Sequence, residues 1–283
     1  MGVKIAVVGG ASTYTPELVQ GFVSHRDRLA VDELALLDID ADRLAVVGGL
    51  AGRMLERQGF DGTLTLTSDR SAALDGAAYV IVQLRVGGQA ARLRDETIPL
   101  RFGCIGQETT GPGGFAKALR TVPVVLDLAE ETAARGAPGA WVVDFTNPVG
   151  IVTQALLDAG HRAIGLCNVA IGFQRILAAH FGVEPDRVSL EHVGLNHLSW
   201  ERAVLVDGVD RLPELLAPGA EEMAEEIGMP VELLRLLGAI PSYYLRYYYF
   251  TDEVLRQELE PDHLKDDELA RIRLGCDGGP YCD

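Results

Sequence analysis

One histidine, His197, lies in the segment VGLNHLSW between an asparagine and a leucine. An imidazole in this setting is a hydrogen-bonded core residue, a general base or a metal ligand. The cysteines raise a related question, because a thiol is a small buried hydrophobe, a ligand or a nucleophile. There are four of them, Cys104, Cys167, Cys276 and Cys282. Residue type alone leaves these alternatives open, so the elements that position the side chains must be found first.

A glycine turn near the N-terminus is the second candidate for chemistry. In VVGGASTYTP, Gly9 and Gly10 permit a tight turn and a close approach of the backbone to a pyrophosphate at a helix N-terminus. Ser12 and Thr13 replace the later part of a G-x-G-x-x-G motif, so the spacing departs from that motif. Asp38 ends the second predicted strand, where a carboxylate binds the ribose hydroxyls of NAD and repels the extra phosphate of NADP. These residues predict an NAD site, and a glycine-rich turn beside a solvated acid is the alternative.

Strand-like and helix-like segments alternate along most of the chain. Short β-branched runs such as VKIAVVGG and AYVIVQLRV are separated by segments with helical periodicity. This alternation predicts an α/β fold with a doubly wound, Rossmann-like parallel sheet of the lactate/malate dehydrogenase type. Pro123 is expected to kink or split the helix AKALRTVPVVLDLAEETAARG. From about residue 185 the pattern becomes antiparallel strands and acidic helices, which predicts an incomplete α+β second domain.

Composition restricts the partners and the compartment. The chain has 283 residues, of which 48% are hydrophobic, and a formal net charge of −16. Such a charge repels nucleic acid and anionic lipid, so we expect neither as a primary partner. No apolar run reaches the length of a membrane span, and the N-terminus lacks the basic region and cleavage site of a signal peptide. We therefore expect a cytoplasmic protein with reduced cysteines.

Several segments in order resemble glycoside hydrolase family 4. They are QLRVGG, DETIPLRFGCIGQETTGPGGF, FTNPVGIVTQAL, GLCN and GLNHL, and the resemblance covers residues 3 to about 250. Members are NAD- and divalent-metal-dependent glycosidases that act largely on 6-phosphoglycosides. Asn168 after the cysteine, and the segment NHLSW, are more similar to the 6-phospho-β-glucosidase branch than to the α branch, which tends to carry aspartate there.

The resemblance implies a glycosidase without a catalytic carboxylate pair. Carbon C3 of the sugar is oxidised by NAD⁺, which acidifies the proton on C2. A base removes that proton, the C1 substituent leaves, water adds, and the hydride returns to C3. A metal ion that polarises two sugar oxygens needs open coordination positions, and hence few protein ligands.

The resemblance also implies the metal ligands. Cys167 supplies a thiolate and His197 an imidazole, and Asn196 orients His197. Such a site could hold manganese, iron, cobalt or nickel, and the spacing does not choose between them. The family usually prefers manganese, so Mn²⁺ is the expected ion.

Further roles follow from matching positions. The resemblance places Arg85 and Arg92 near the sugar phosphate, which a planar guanidinium suits. Asn147 is expected at the sugar hydroxyls and the nicotinamide, and Asn168 at a substrate hydroxyl. Glu108 is expected in a loop beside cofactor and sugar. Surface arginines and a turn-forming asparagine are the alternative interpretations.

The C-terminal region departs from the family pattern. Family chains continue further, and their base is a tyrosine in an R-G-G-x-x-Y-S-like segment. Here GGPY places Tyr281 as the candidate base, and a frayed tail is the alternative. The segment YYLRYYY, residues 243–249, is expected to pack the second domain or an interface. The chain is either a fragment or a shortened enzyme completed by a partner subunit.

The chain is expected to divide into two domains with different roles. We predict an NAD-binding domain over residues 1–185, and over 186–283 a truncated domain for substrate, metal and oligomerisation. The expected partners are a small phosphorylated sugar and further copies of the chain, as a dimer or tetramer. A lactate/malate dehydrogenase-like oxidoreductase is the first alternative, which net reduction of NAD⁺ by a hydroxy acid would favour. A non-catalytic or catalytically impaired NAD-binding member of the family is the second.

Overall fold

The computed structural model describes residues 2–218, 221, 224 and 227–260. These residues form two compact units. The first contains residues 2–95, Gln107–Thr109 and Gly113–Leu166, and the second contains Glu96–Gly106, Thr110–Pro112 and the described residues from Cys167 onward. The division of roles between residues 1–185 and 186–283 stays a prediction.

The first unit is built on a parallel sheet of six strands in the order β3-β2-β1-β4-β5-β6. The strands are β1 (Val3–Val8), β2 (Val31–Leu37), β3 (Thr63–Thr67), β4 (Tyr79–Val82), β5 (Trp141–Asp144) and β6 (Ala163–Gly165). The order changes direction between β1 and β4, as it does in dinucleotide-binding doubly wound folds. The predicted α/β class is confirmed.

Helices cover both faces of this sheet. They are α1 (Thr15–Ser24), α2 (Ala41–Arg57), α3 (Arg70–Leu74), α4 (Gly88–Leu100), α5 (Gly111–Arg135) and α6 (Val149–Asp158). Because side chains alternate along a strand, Ile5 and Val7 of β1 pack in one cluster with residues of α1 and α2. Ala6 and Val8 pack in another cluster, with residues of α5 and α6. Each fully buried aliphatic side chain contributes about 1.5–3 kcal/mol, so the strand ends are held rigidly.

Helix α5 differs from the sequence prediction in two ways. It runs without a break from Gly111 to Arg135 through Pro123, so of the two predicted outcomes, a kink or a split, the split was wrong. A proline removes one backbone hydrogen bond, whereas Val125, Leu128 and Ala129 bury the same helix in the core. The helix also begins before the predicted alanine, because proline is favoured in a first helical turn. Two helices, α4 in this region and α7 below, were not assigned from the sequence.

The second unit contains an antiparallel sheet in the order β10-β8-β7, with β9 paired to β8. Its strands are β7 (Val188–Leu195), β8 (Leu198–Val206), β9 (Val209–Asp210) and β10 (Ile240–Pro241). The described helices are α7 (Val169–Phe181), α8 (Leu212–Leu215), α9 (Val231–Leu237), α10 (Arg246–Tyr249) and α11 (Thr251–Glu258). The core joins Phe173 and Leu177 of α7 to Val204 of β8 and Leu234 of α9. The predicted antiparallel strands are confirmed.

Among the described helices, none combines the length and the apolarity that crossing a bilayer requires.

Candidate functional site

The glycine turn of the first unit lies at the carboxyl end of β1. The backbone N–H groups of Gly9 and Gly10 both donate to the carbonyl oxygen of Leu37, at 2.9 and 2.8 Å. Gly9 has φ of 91°, and a Cβ there would lie 2.4 Å from the carbonyl oxygen of Gln83. A Cβ at Gly10 would lie 2.8 Å from the Cβ of Leu36. The turn thus has no room for side chains, and it lies beside the point where the strand order reverses.

Asp38 is tied to this turn. Its Oδ2 accepts a hydrogen bond from the backbone N–H of Ala11 at 2.9 Å, and its Oδ1 accepts from that of Asp40 at 3.0 Å. The oxygen of Ser12 accepts from the N–H of Tyr14 at 3.2 Å, whereas Thr13 is exposed. The carboxylate, the glycines and Ser12 therefore form one local structure. This cradle, which Cβ atoms would fill, fits a dinucleotide.

Two residues that the sequence reasoning missed support the turn from β4 and α1. Gln83 Nε2 donates to the carbonyl oxygen of Gly9 at 3.1 Å and to Thr15 Oγ1 at 3.0 Å. Thr15 Oγ1 in turn donates to the carbonyl oxygen of Gly10 at 2.9 Å. The two bonds of Gln83 connect elements far apart in sequence, so no local pattern indicates them.

A buried charge cluster gathers around Glu108, also in the first unit. Glu108 Oε2 lies 2.6 Å from both Arg85 Nη1 and Lys117 Nζ. Arg92 Nε lies 3.7 Å from Oε1 of the same carboxylate. Glu108 and Arg92 are 1% and 3% exposed. The structure therefore brings together three residues that the resemblance had assigned to the sugar, and it adds Lys117. Cationic groups that a buried carboxylate holds close together can bind an oxyanion such as a phosphate.

Asn147 follows the carboxyl end of β5. It is half-buried and precedes Pro148 in a cis peptide bond. Asp144, at the end of the strand, is fully buried, and burial raises its pKa to about 7. Its carboxylate accepts hydrogen bonds from the backbone of Thr146 and the side chain of Thr153.

In the second unit, Cys167 and His197 face each other. Cys167 precedes α7, and His197 lies at the turn between β7 and β8 with φ of 62°. Cys167 Sγ lies 3.5 Å from His197 Nε2. For zinc as an example, metal–sulfur and metal–nitrogen bonds of about 2.3 and 2.1 Å, at angles of 90 to 110°, separate the two donors by about 3.1 to 3.6 Å. The pair therefore has the spacing of two ligands on one ion.

The imidazole of His197 has the protonation state that a ligand needs. It is 8% exposed, and burial lowers its pKa to about 4, so it is neutral near pH 7. Among the described residues, no group of three or more histidine, cysteine and carboxylate side chains is arranged to hold a metal ion. A pair of donors such as Cys167 and His197 would leave coordination positions open for substrate oxygens.

An aromatic ring covers this pair. Tyr244 stacks on His197 with 3.7 Å between ring centroids and 11° between planes. Tyr249, from the same tyrosine-rich segment, accepts a hydrogen bond from Trp200 Nε1 at 3.1 Å and packs against the core. The expected packing role therefore describes Tyr249, but Tyr244 lies at the candidate metal centre. Tyr281 lies outside the described residues.

Asn168 and Asn196 flank the two candidate ligands in sequence. Asn168 is exposed at the N-cap of α7, where its side chain forms no capping hydrogen bond. Asn196 is exposed beside His197 in the hairpin turn. Their expected roles, like those of the other site residues, stay predictions.

A buried acid lies on the strand that follows His197. Glu201 of β8 is 1% exposed, its Oε1 lies 2.8 Å from His192 Nδ1, and burial raises its pKa to about 7. Because the folded protein holds this proton more tightly than the unfolded chain does, stability is lost as pH rises from about 4.5 through 7.

Replacing this acid with an amide is expected to stabilise the protein at alkaline pH. Glu201→Gln cannot ionise, so at pH 8 it should gain roughly 1–3 kcal/mol of unfolding free energy, and little at pH 4. Urea unfolding at both pH values measures the difference. Glu214→Gln is the control, because the exposed Glu214 pairs with Arg211, which lowers its pKa. A Glu201→Gln protein that is less stable than the wild type at pH 8 would contradict the interpretation.

The first unit has the fold of dinucleotide-binding proteins, and the second carries a thiol and an imidazole at the spacing of two ligands on one ion. Comparison with known sequences agrees with this class. The family 4 glycosyl hydrolase model matches residues 4–183, and the family 4 glycosyl hydrolase C-terminal domain model matches residues 192–274. The chain belongs to glycosyl hydrolase family 4, and the resemblance inferred from the motifs is confirmed.

Individual relatives place the chain within the family. A probable 6-phospho-beta-glucosidase of Bacillus subtilis is 44% identical over 270 residues, which are 92% of this chain and 61% of the relative. A 6-phospho-beta glucosidase from Thermotoga maritima, solved with manganese, NAD⁺ and glucose-6-phosphate, is similar with a TM-score of 0.85 and 32% identity. That similarity covers 96% of this chain and 67% of the solved one.

A malate dehydrogenase from Salinibacter ruber matches with a TM-score of 0.56 and 18% identity over 93% of this chain and 77% of the other, which shows a shared fold alone. The chain spans about three fifths of the length of the curated relatives that it matches first.

Proposed function

We propose that this protein hydrolyses 6-phospho-β-glucosides by NAD⁺-dependent oxidation and elimination, with Mn²⁺ as the divalent ion. The observation that carries the proposal is the 3.5 Å pair of Cys167 and His197 in a chain of family 4. The identity to a probable 6-phospho-beta-glucosidase supports the β configuration and the phosphorylated sugar.

When bound, NAD⁺ would supply reversible oxidation at C3, and the divalent ion would supply Lewis acidity at the oxygens on C2 and C3. Gly9, Gly10, Ser12 and Thr13 would hold the pyrophosphate end of the dinucleotide. Asp38 would accept hydrogen bonds from the adenosine ribose and thereby select NAD⁺ over NADP⁺. Asn147 would orient the nicotinamide and a sugar hydroxyl.

Cys167 and His197 would hold the ion through a thiolate and a neutral imidazole. Only two protein donors leave room for a chelating sugar and for water. Asn168, exposed beside Cys167, would bind a sugar hydroxyl. The ion would thus lower the pKa of the C2 proton without a catalytic carboxylate pair.

The Glu108 cluster would recognise the phosphate. Arg85 and Arg92 would bind the oxyanion, and the buried Glu108 would hold the arginines in place. The contact of Lys117 with the same carboxylate oxygen makes it part of this support.

Removing one of these cations is expected to affect phosphorylated substrates selectively. Arg85→Ala should raise KM for an aryl 6-phospho-β-glucoside by about tenfold or more, the order of one lost charged hydrogen bond. The ratio of kcat/KM for the phosphorylated glucoside to kcat/KM for the unphosphorylated one should therefore fall. Steady-state kinetics on both substrates measures this. Arg94→Ala is the control, because Arg94 is exposed on α4, the helix that carries Arg92. Equal losses of kcat/KM on the phosphorylated and the unphosphorylated substrate would contradict the phosphate assignment.

The base at C2 has two candidates. Tyr281 was inferred from the resemblance alone, whereas the ring of Tyr244 stacks on His197. We propose Tyr244 as the residue that accepts the C2 proton.

Loss of its hydroxyl is expected to slow the chemical step and leave binding intact. General base catalysis contributes about 10²–10⁴-fold, so Tyr244→Phe should lower kcat by that order while Mn²⁺ and NAD⁺ affinities stay unchanged. Tyr248→Phe is the control, because Tyr248 is 74% exposed. If Tyr244→Phe keeps full kcat and Tyr281→Phe loses it, the base is Tyr281.

The function is tested by cleavage of an aryl 6-phospho-β-glucoside with NAD⁺, Mn²⁺ and a thiol reductant. Parallel reactions omit NAD⁺, add a chelator, or use the α anomer. Cleavage that needs both cofactors and the β anomer supports the proposal. Preference for the α anomer would overturn the substrate assignment. NAD⁺ binding without cleavage of either anomer would favour a catalytically impaired member.

A further inference from the structure

A buried polar cluster beneath Asn147 has no role in the proposed reaction. At its centre is Asp144, which is fully buried at the carboxyl end of β5. Its Oδ1 accepts a hydrogen bond from the backbone N–H of Thr146 at 3.0 Å, and its Oδ2 accepts one from Thr153 Oγ1 at 3.3 Å. Both donors are neutral, and among the described residues no cation forms an ion pair with this acid. Burying a carboxyl group without a cation is costly, as its raised pKa of about 7 indicates.

Thr146 connects this acid to the neighbouring strand. Its Oγ1 donates to the carbonyl oxygen of Val82 at 3.1 Å and accepts from the backbone N–H of Leu84 at 2.8 Å. Thr146 directly precedes Asn147, and Leu84 directly precedes Arg85. The Thr146 hydroxyl therefore links the residues that precede Asn147 and Arg85, and Asp144 binds the backbone N–H of the same threonine.

Thr153 and Gly165 complete the cluster from α6 and β6. A Cβ at position 165 would lie 2.1 Å from Thr153 Oγ1, so the hydroxyl occupies space that only glycine leaves open. The ends of three adjacent strands thus meet around one acid. If this cluster served core packing alone, apolar side chains would fill the same space without the free-energy cost of burying polar groups.

We propose that Asp144 is a positioning residue that holds Asn147, and through Thr146 also Arg85, in the geometry that the nicotinamide and the phosphorylated sugar require. This inference rests on the proposed function, because it takes Asn147 to face the nicotinamide. It assigns Asp144 no contact with substrate or cofactor. On the dinucleotide, its effect is confined to the nicotinamide end.

The test compares binding of NAD⁺ with that of ADP-ribose, which lacks the nicotinamide. Asp144→Ala and Thr153→Val are expected to weaken NAD⁺ by about tenfold, the order of one lost hydrogen bond, and to change ADP-ribose less than about twofold. Thr153→Ser keeps the hydroxyl and should restore wild-type NAD⁺ affinity. Asp144→Asn can offer an oxygen to Thr146 and an amide N–H to Thr153, so it should remain close to the wild type.

A matched control separates positioning from general destabilisation. Thr132 is buried in α5, and its hydroxyl bonds only to the backbone of its own helix, at Leu128. Thr132→Val removes the same group and should leave both affinities unchanged. In the Asn147→Ala background, Asp144→Ala should weaken NAD⁺ no further, because its effect acts through Asn147. If Asp144→Ala does not fold, the Thr153→Val and Thr153→Ser pair carries the comparison.

The outcomes separate this inference from the function on which it rests. Equal weakening of NAD⁺ and ADP-ribose by folded Thr153→Val, or no weakening of NAD⁺, would overturn the positioning role and leave the proposed function standing. A wild-type protein that binds neither ligand would overturn both.

Discussion

Replacing His197 with alanine is expected to abolish Mn²⁺-dependent cleavage. With one of two protein donors removed, Cys167 alone cannot hold an ion against water. Lewis acidity at the sugar oxygens is worth several kcal/mol, so kcat/KM should fall by at least about a thousandfold. Cys167→Ser should have a similar effect, because a neutral hydroxyl replaces the thiolate. Titration with Mn²⁺, followed by electron paramagnetic resonance, measures the loss of binding directly.

Two controls make this prediction specific. Cys104 is a second thiol in the described part of the chain, and His180 is an exposed imidazole at the end of α7. Cys104→Ser and His180→Ala should keep both Mn²⁺ binding and activity. An unchanged Mn²⁺ titration in both His197→Ala and Cys167→Ser would refute the metal assignment.

A methyl group at Gly9 is expected to remove NAD⁺ binding. The added Cβ would lie 2.4 Å from the carbonyl oxygen of Gln83, and a residue with φ of 91° disfavours any side chain. The turn must therefore shift away from Gln83, which also bonds to the Gly9 carbonyl. NAD⁺ affinity of Gly9→Ala should fall by about a hundredfold or more, as expected for a loss near 3 kcal/mol.

The chain offers a matched control for this change. A Cβ at Gly21, in α1, would meet nothing within 4 Å, and alanine is the better helix former. Gly21→Ala should bind NAD⁺ as the wild type does. Isothermal titration gives the affinities, and thermal unfolding shows whether each variant folds. A folded Gly9→Ala protein with nearly normal NAD⁺ affinity would argue against this turn as the cofactor site.

The parts of the fold that the sequence predicted are those with local signals. The alternation of β-branched runs and helical segments indicated the parallel sheet. The glycine turn and Asp38 indicated the edge of the sheet at which a dinucleotide is expected to bind. Pro123 shows the limit of local rules, because tertiary packing keeps α5 continuous through it. The α4 helix, with Pro99 inside it, gave no clear periodic signal.

The candidate metal and sugar residues, unlike the glycine turn, were indicated only by the family resemblance. Cys167 and His197 are adjacent only because the fold brings the start of α7 to the β7–β8 turn, and no spacing rule predicts that approach. Gln83 and Tyr244 were missed because each acts through a partner distant in sequence, whereas Lys117, which is near Glu108 in sequence, lies in no motif that marks it. The tyrosine-rich segment was noticed, but composition could not distinguish the packed Tyr249 from Tyr244 on His197.

The central claim is that cleavage proceeds by oxidation and elimination, and isotope exchange at C2 tests it most directly. The protein is allowed to cleave an aryl 6-phospho-β-glucoside in D₂O with NAD⁺ and Mn²⁺, and the sugar phosphate is examined by NMR. Removal of the C2 proton and later addition of water across C1 and C2 predict deuterium at C2 of the product. Glucose-6-phosphate incubated with the His197→Ala protein controls for exchange by other routes. Cleavage that leaves C2 free of deuterium would show direct displacement at C1 and contradict the account.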